Sequence, residues 1–467
     1  MKNSKYIILY FGFLLLLASC DNWLDVSPKT EVKETDLFSK ESGFKTALLG
    51  QYINMSKPTL YGGNLTMGFI DILAQYYSVT SEKSEYMPMS LYDYKNEKVK
   101  PVVTQIWGSM YEIIANLNNL LYNMEAHQDL FTGSNYSIIK GEALGLRAFL
   151  HFDLLRMYAP SYVVGKNSPA IPYVDKITHI PFPQLTVTQV AEAAIQDLLE
   201  AEALLREVDP IGPAFKDYSD NWSENAEYDS DEGFLSFRRE RMNYWAVVAT
   251  LARVYLYIDN YPKAYEYAYI AMKTARVNPA EVVFKLYSDK LTTYSDRYFN
   301  PKLDAENQLV VSIERKNEIY ETDLYGSVDN RLKEWFNYYP NTNDEFMSKY
   351  MKQKESEPVN IPLIRGCEVY YIGAESTTAT DSAFIYLNQV RNSFDISRSF
   401  DLKEGIADFD LELYHEYRKS FVGEGQLFYF MKRKNFTMIE NSAATDFPDL
   451  YTFPVPDTEI EFGNIAN

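Results

Sequence analysis

The chain has 467 residues and a formal charge of −20, with 45 Lys and Arg against 65 Asp and Glu. That balance repels nucleic-acid phosphates, and no dense basic stripe offsets it, which argues against nucleic acid as a partner. With only two cysteines, Cys20 and Cys367, the fold must rest on packing rather than on a disulfide framework.

In chain order, Lys2 and Lys5 form a short positive head, residues 6–17 are an almost unbroken apolar run, and Leu17-Ala18-Ser19-Cys20 closes it. Small residues before a cut site mark a secretory signal peptide over residues 1–19. The run is shorter than the about 20 residues that a membrane-spanning helix needs. A cysteine directly after the small pair reads as a lipobox, in which the Cys20 thiol is acylated and becomes the first residue. Several acyl chains, at about 0.8 kcal/mol per buried methylene, make such an anchor effectively permanent. An ordinary signal peptide with a chance cysteine is the plainer alternative. Residues 20–40 are polar, with Pro28 early, and read as a lipidated tether.

A single domain is expected over 41–467, with an N-terminal helical part to about residue 240 and a C-terminal part beyond it. Helical periodicity begins at Phe44, Leu48, Tyr52 and Met55. Residues 104–124 continue it with Ile106, Met110, Ile113, Leu117 and Leu121. Residues 138–158 carry two apolar stripes, the mark of a helix buried between neighbours, and stop at Ala159-Pro160. Thr186 and Gln189 form a capping box for a helix running to about Val208. Residues 241–276 match a tetratricopeptide hairpin, with Leu251, Ala252, Tyr255, Ala264, Ala268 and Ala271 at packing positions and Pro262 able to start the second helix. A second hairpin is expected over 365–375 and 381–391, where Gly373, Ala374 and Ala383 allow close approach. Residues 277–362 lack a sustained 3.6 period and read as a long irregular insertion, of the kind that carries function or mobility.

No catalytic signature emerges. His127, His151, His179 and His415 have no metal-ligand spacing, and His415-Glu416 lacks the second histidine of a zinc-protease helix. Cys367 lies in an apolar helix and reads as a buried thiol. The 65 acidic residues supply many possible carboxylate pairs for glycoside hydrolysis, but nothing singles one out. The acidic loop 217–232 offers hard oxygen ligands for calcium without EF-hand spacing, and a solvated loop is the better reading. No cofactor is implied.

The landmarks together resemble the SusD/RagB family of outer-membrane nutrient-binding lipoproteins of Bacteroidetes. The resemblance starts at Cys20-Asp21-Asn22-Trp23-Leu24-Asp25-Val26-Ser27-Pro28 and continues through Arg147-Ala148-Phe149 in EALGLRAFLHFDLLRMYAP. It extends to RMNYWAVVATLARVYLYIDNYPKAYEYA, to IRGCEVYYIGAE with LNQVR, to EYRKSFVGEGQLFYFMKRKNF and to FPVPDTEI. The sequence departs from the pattern at Leu427-Phe428-Tyr429-Phe430, which puts the packing of the last helix in question.

The resemblance implies a mainly α fold, with tetratricopeptide-like hairpins overlaid by long irregular loops. It also implies a surface lipoprotein that binds an oligosaccharide, or a peptide or other nutrient, and caps a SusC-like TonB-dependent barrel. The helices would face the barrel, and the loops, above all 60–103 and 277–362, would face the ligand. A lipid-anchored surface glycosidase is the alternative.

The 39 tyrosines, beside 27 Phe and 5 Trp, suit half-wet sites where a ring meets the apolar face of a sugar. About 100 Å² of apolar surface per stacked ring is worth about 2.5 kcal/mol before ordering costs. From composition, Tyr76, Tyr77, Tyr92, Trp222, Tyr294, Trp335 and Tyr338 are the candidate ligand-binding residues, each with core packing as its plainer reading.

Overall fold

The computed structural model describes residues 34–214, 233–274, 277–304, 306–338, 345–351, 360–444, 447 and 449–463. The expected signal peptide, Cys20, most of the expected tether, Trp222 and the acidic segment 217–232 lie outside the described residues.

The scaffold is a row of helices, each packed on the next. It opens with α1 (Glu41–Met55), α2 (Lys100–Ala126), α3 (Asn135–Tyr158) and α4 (Val187–Arg206), followed by the hairpin α5 (Tyr244–Tyr257) and α6 (Tyr261–Thr274). The expected stripes face inward: Phe44, Leu48 and Met55 on α1, and Ile106, Met110, Ile113 and Leu117 on α2, are all buried. Helix α3 has no solvent face from residue 141 to 158, because neighbouring elements, α2 and α4 above all, pack against it. The capping box forms as expected, with Gln189 N donating to Thr186 Oγ1 at 3.3 Å and Thr186 N donating to Gln189 Oε1 at 2.9 Å. It satisfies two of the otherwise orphaned donors of the first turn.

Between α3 and α4 the crossing forms a short antiparallel pair, β1 (Pro169–Pro172) and β2 (Gln184–Thr186). After α6 the chain is more regular than its sequence suggests. It runs through β3 (Val282–Tyr287), α7 (Leu291–Phe299), α8 (Ile313–Tyr320), β4 (Phe336–Tyr338) and β5 (Glu345–Met347), then β6 (Asn360–Arg365). Strand β6 pairs antiparallel with β3, from Val282 opposite Arg365 to Tyr287 opposite Asn360. These elements are too short to display a period, so the expectation of an irregular insertion misses them. In α7 only Leu291, Ser295 and Phe299, spaced by four, are buried.

The second hairpin follows as α9 (Gly366–Ser376) and α10 (Thr380–Ser393), and α11 (Phe409–Ser420) and α12 (Gln426–Arg433) close the row. A Cβ on Gly373 would lie 2.7 Å from Met272 Cε on α6 and 3.7 Å from Tyr386. This glycine therefore fits α9 against the preceding hairpin more tightly than against its own partner helix. Leu427, Phe428, Tyr429 and Phe430 are all buried in α12. Beyond α12 the chain returns to α3: Phe453 N donates to Met157 O at 2.9 Å, and the Phe453 ring packs on Phe69, Tyr94 and Tyr158 at centroid distances of 5.3, 5.3 and 5.6 Å.

Candidate ligand-binding face

Two segments set aside from the scaffold, 60–103 and 277–351, meet and form one face. Ser78 N donates to Val310 O at 2.8 Å, and the Arg315 guanidinium donates to Gln75 O. Tyr77 packs on Phe299 at 5.8 Å, and Tyr86 approaches Tyr298 at 6.5 Å. Glycine allows this close approach, because a Cβ on Gly63 or Gly68 would lie 2.9 Å from Tyr298 Oη.

The first segment is fixed from below. Asp71 is fully buried and accepts from Gly423 N at 2.5 Å and Gly425 N at 2.8 Å in the turn between α11 and α12. Burial pushes its carboxyl well above the usual range, and the two N–H donors pull against that shift. Gly425 holds φ +74°, and a Cβ there would come 2.3 Å from Leu65 O. Only glycine takes that conformation without strain.

The sequence-based candidates separate in the structure. Tyr76, Tyr77 and Tyr92 are 1%, 3% and 3% exposed. Their hydroxyls donate to Arg418 O at 2.9 Å, Met67 O at 2.8 Å and Leu73 O at 2.5 Å. Tyr76 pins the loop to the body, Tyr77 and Tyr92 brace it from within, and none offers an open ring face. Trp335 is likewise buried, with Lys349 Nζ 3.5 Å from its ring centroid and the Arg365 guanidinium at 5.2 Å. Burial lowers the Lys349 ammonium to about 8 against the pull of Glu424. Tyr294 is half-buried on α7, with Arg297 at 5.8 Å from its ring. Tyr338, opposite Glu345 at the end of the β4–β5 hairpin, is 62% exposed. Tyr287, at the exposed end of β3, and Tyr298 were not anticipated. The out-in alternation at the end of β3 would have signalled Tyr287 had the strand been recognised.

The charged residues of the quoted motifs lock elements of the scaffold together. Arg147 holds Asp197 through two bonds of 2.7 Å. Arg253 holds Glu368 at 2.5 and 2.6 Å, and Arg433 holds Glu375 at 2.7 and 2.6 Å. Arg365 meets Glu424 at 2.6 Å. Glu416 lies among Arg331 at 3.0 Å, Lys419 at 3.1 Å and Arg391 at 3.3 Å. Burial pushes its carboxyl up, but Lys419, Arg331 and Arg391 outweigh that and hold it at about 2. His151 is neutral: burial lowers it to about 3. Its Nε2 accepts from Val174 N at 2.9 Å, which leaves Nδ1–H to donate to Arg147 O at 2.9 Å. Cys367 is buried, and its thiol is pushed up to about 12 by burial. Among the described residues, no group of His, Cys, Asp and Glu is arranged to hold a metal ion, and no helix is long and apolar enough to cross a membrane.

Residues 22–211 match the SusD-like family described as starch-binding and associating with the outer membrane. A SusD-like protein, P25, of Formosa agariphila is 23% identical over 164 residues, a match covering 33% of this chain and 31% of that protein. The chain thus spans about a third of the length of the curated relative it matches. A solved SusD superfamily protein of Bacteroides thetaiotaomicron superposes with a TM-score of 0.71 at 21% identity, over 91% of this chain and 99% of that one. A putative sugar-binding protein of Bacteroides vulgatus gives 0.68 at 21% identity, over 91% and 97%. A SusD-like carbohydrate-binding protein of the same organism gives 0.67 at 17%, with the same coverage. The helical row with its loop overlay is therefore the SusD fold. Over residues 22–211 the sequence is similar to the SusD-like family as well.

Proposed function

We propose that this protein is a lipid-anchored cell-surface receptor that binds a nutrient oligosaccharide on the loop face and acts as the lid of a SusC-like TonB-dependent outer-membrane barrel. The observation that carries this reading is the contact between segments 60–103 and 277–351, the second of which exposes Tyr338 and Tyr287 and half-exposes Tyr294. Tyrosine rings offer apolar faces to sugar C–H groups and hydroxyls to sugar oxygens. A few such contacts give affinities of about micromolar to millimolar, which suits a carrier that must release its cargo. The scaffold helices would face the barrel, with Cys20 as a tether that keeps the lid at high effective concentration beside it.

Members of the SusD-like family are carbohydrate-binding proteins rather than enzymes. The buried carboxylates fit that reading, since Glu142, Asp197, Glu368, Glu416 and Glu424 are each paired with Arg or Lys. The test has two arms. Tagged protein extracted from native outer membranes should bring a TonB-dependent barrel with it, and recovery without any barrel would sink the lid. In a glycan and peptide panel the protein should bind an oligosaccharide without converting it. Turnover abolished by one carboxylate substitution would establish a hydrolase instead.

A further inference from the structure

A narrow cavity of about 30 Å³ lies where α3, α5, α9 and α12 converge, lined among others by Arg156, Arg253, Glu368, Tyr417, Tyr429 and Arg433. A single water needs only roughly 10–15 Å³ on the same measure, so the space admits one small species. Two of the lining guanidiniums carry buried nitrogens without a hydrogen-bond partner, Arg156 Nε and Arg253 Nη1. Both side chains are 6% exposed. A charged donor left unpaired in such a place is costly, and the cost is avoided when an acceptor occupies the cavity.

The surrounding charge selects the kind of acceptor. Arg156 is paired with Asp153, Arg253 with Glu368 and Arg433 with Glu375. Lys432, the neighbour of Arg433 on α12, is buried and donates only to the carbonyls of Tyr451 at 2.7 Å and Met157 at 3.4 Å. Each of the three guanidiniums thus has a carboxylate partner, whereas Lys432, beyond the cavity lining, has carbonyl partners and no carboxylate among the described residues. Lys434, which reaches both Glu375 and Asp410, and Asp259 lie at the solvent edge, where screening weakens their effect.

We propose that this cavity binds a small monovalent anion of chloride size, held by Arg156 Nε–H and Arg253 Nη1–H, with Lys432 as the basic group it balances. Burial together with Arg156 drives the Lys432 ammonium well below its ordinary range, and an anion in the cavity opposes that shift. The site joins the C-terminal half of α3 to the C-terminal helices.

The test compares thermal unfolding of the full chain in sodium chloride, sodium bromide and sodium gluconate at equal ionic strength. Chloride and bromide should raise the midpoint by a few degrees in a saturable way, and crystals grown in bromide should show an anomalous peak between Arg156 and Arg253. Arg253→Lys should abolish the halide dependence. Because that variant also disturbs the Glu368 pair, Lys432→Met provides a second arm: it leaves both donors in place and should weaken the dependence several-fold. Equal midpoints in the three salts, or a water without anomalous signal in the bromide crystals, overturns the proposal.

Discussion

Tyr76 and Tyr338 are chemically identical and do opposite things. The Tyr76 hydroxyl reaches a carbonyl 342 residues away in sequence, whereas Tyr338 stands in solvent at the tip of a short hairpin. On the proposed function, Tyr338→Ala should therefore lower glycan affinity about tenfold, the worth of one stacked ring net of ordering costs, and leave stability within about 0.5 kcal/mol. Tyr76→Phe should do the reverse, costing about 1–2 kcal/mol in denaturant unfolding by stranding the Arg418 carbonyl, with calorimetric binding unchanged. Composition could nominate both residues but not sort them, because the partner that makes a tyrosine structural is a backbone carbonyl supplied by distant chain.

Glu416 sets an acid limit at the same scale. Its carboxyl titrates at about 2 in the fold against an ordinary 4.5, so the stability it contributes is complete above about pH 4.5 and is lost as pH falls toward 2. His151 acts in the same direction: the unfolded chain takes up its proton near 6.5 and the fold resists until about 3, so stability also declines as pH drops through that window. Urea midpoints measured from pH 7 to 3 should fall, and Glu416→Gln should flatten the lower part of the curve from a reduced starting value. Removing one partner of such a buried cluster costs about 3–5 kcal/mol.

Among the elements, the long helices were legible because 20 or so residues repeat a stripe often enough to be seen, and α3 announced its burial through apolar residues on two sides. The strands and short helices of 282–347 escaped because three to nine residues cannot establish a period, and their register is set by β6 and by the loop beneath. The pairing of motif arginines and glutamates was equally hidden, since Arg253 and Glu368 are 115 residues apart. Of the small residues expected to let the second hairpin close, Gly373 meets the preceding hairpin most tightly. Gly373→Val should destabilise by about 1–3 kcal/mol through the clash with Met272, and Met272→Ala in that background should recover part of the loss in a double-mutant cycle. Gly425→Ala admits no such relief, because the obstacle is the Leu65 backbone and the left-handed φ remains. It should loosen the 60–103 segment, read as faster amide exchange around Asp71.

For the whole molecule, the abundance of buried tyrosines predicts a steep alkaline limit. Burial raises Tyr76, Tyr158, Tyr350 and Tyr371 well above the ordinary value of 10.0. The unfolded chain thus loses these protons first, and stability falls as pH rises past 10. Tyrosinate absorbance should appear in two phases, an early one from exposed rings and a later cooperative one coinciding with loss of helical circular dichroism.

The return of Phe453 to α3 also bears on the protein's biogenesis. A helix that lacks a solvent face stays unfinished until the last part of the chain arrives to cover it, and contacts of such long sequence separation form slowly. On the proposed export route, a chain whose segment around Phe453 is still in the translocation channel would lack this closing contact with α3. Late closure of the core is then the order of folding that export would impose.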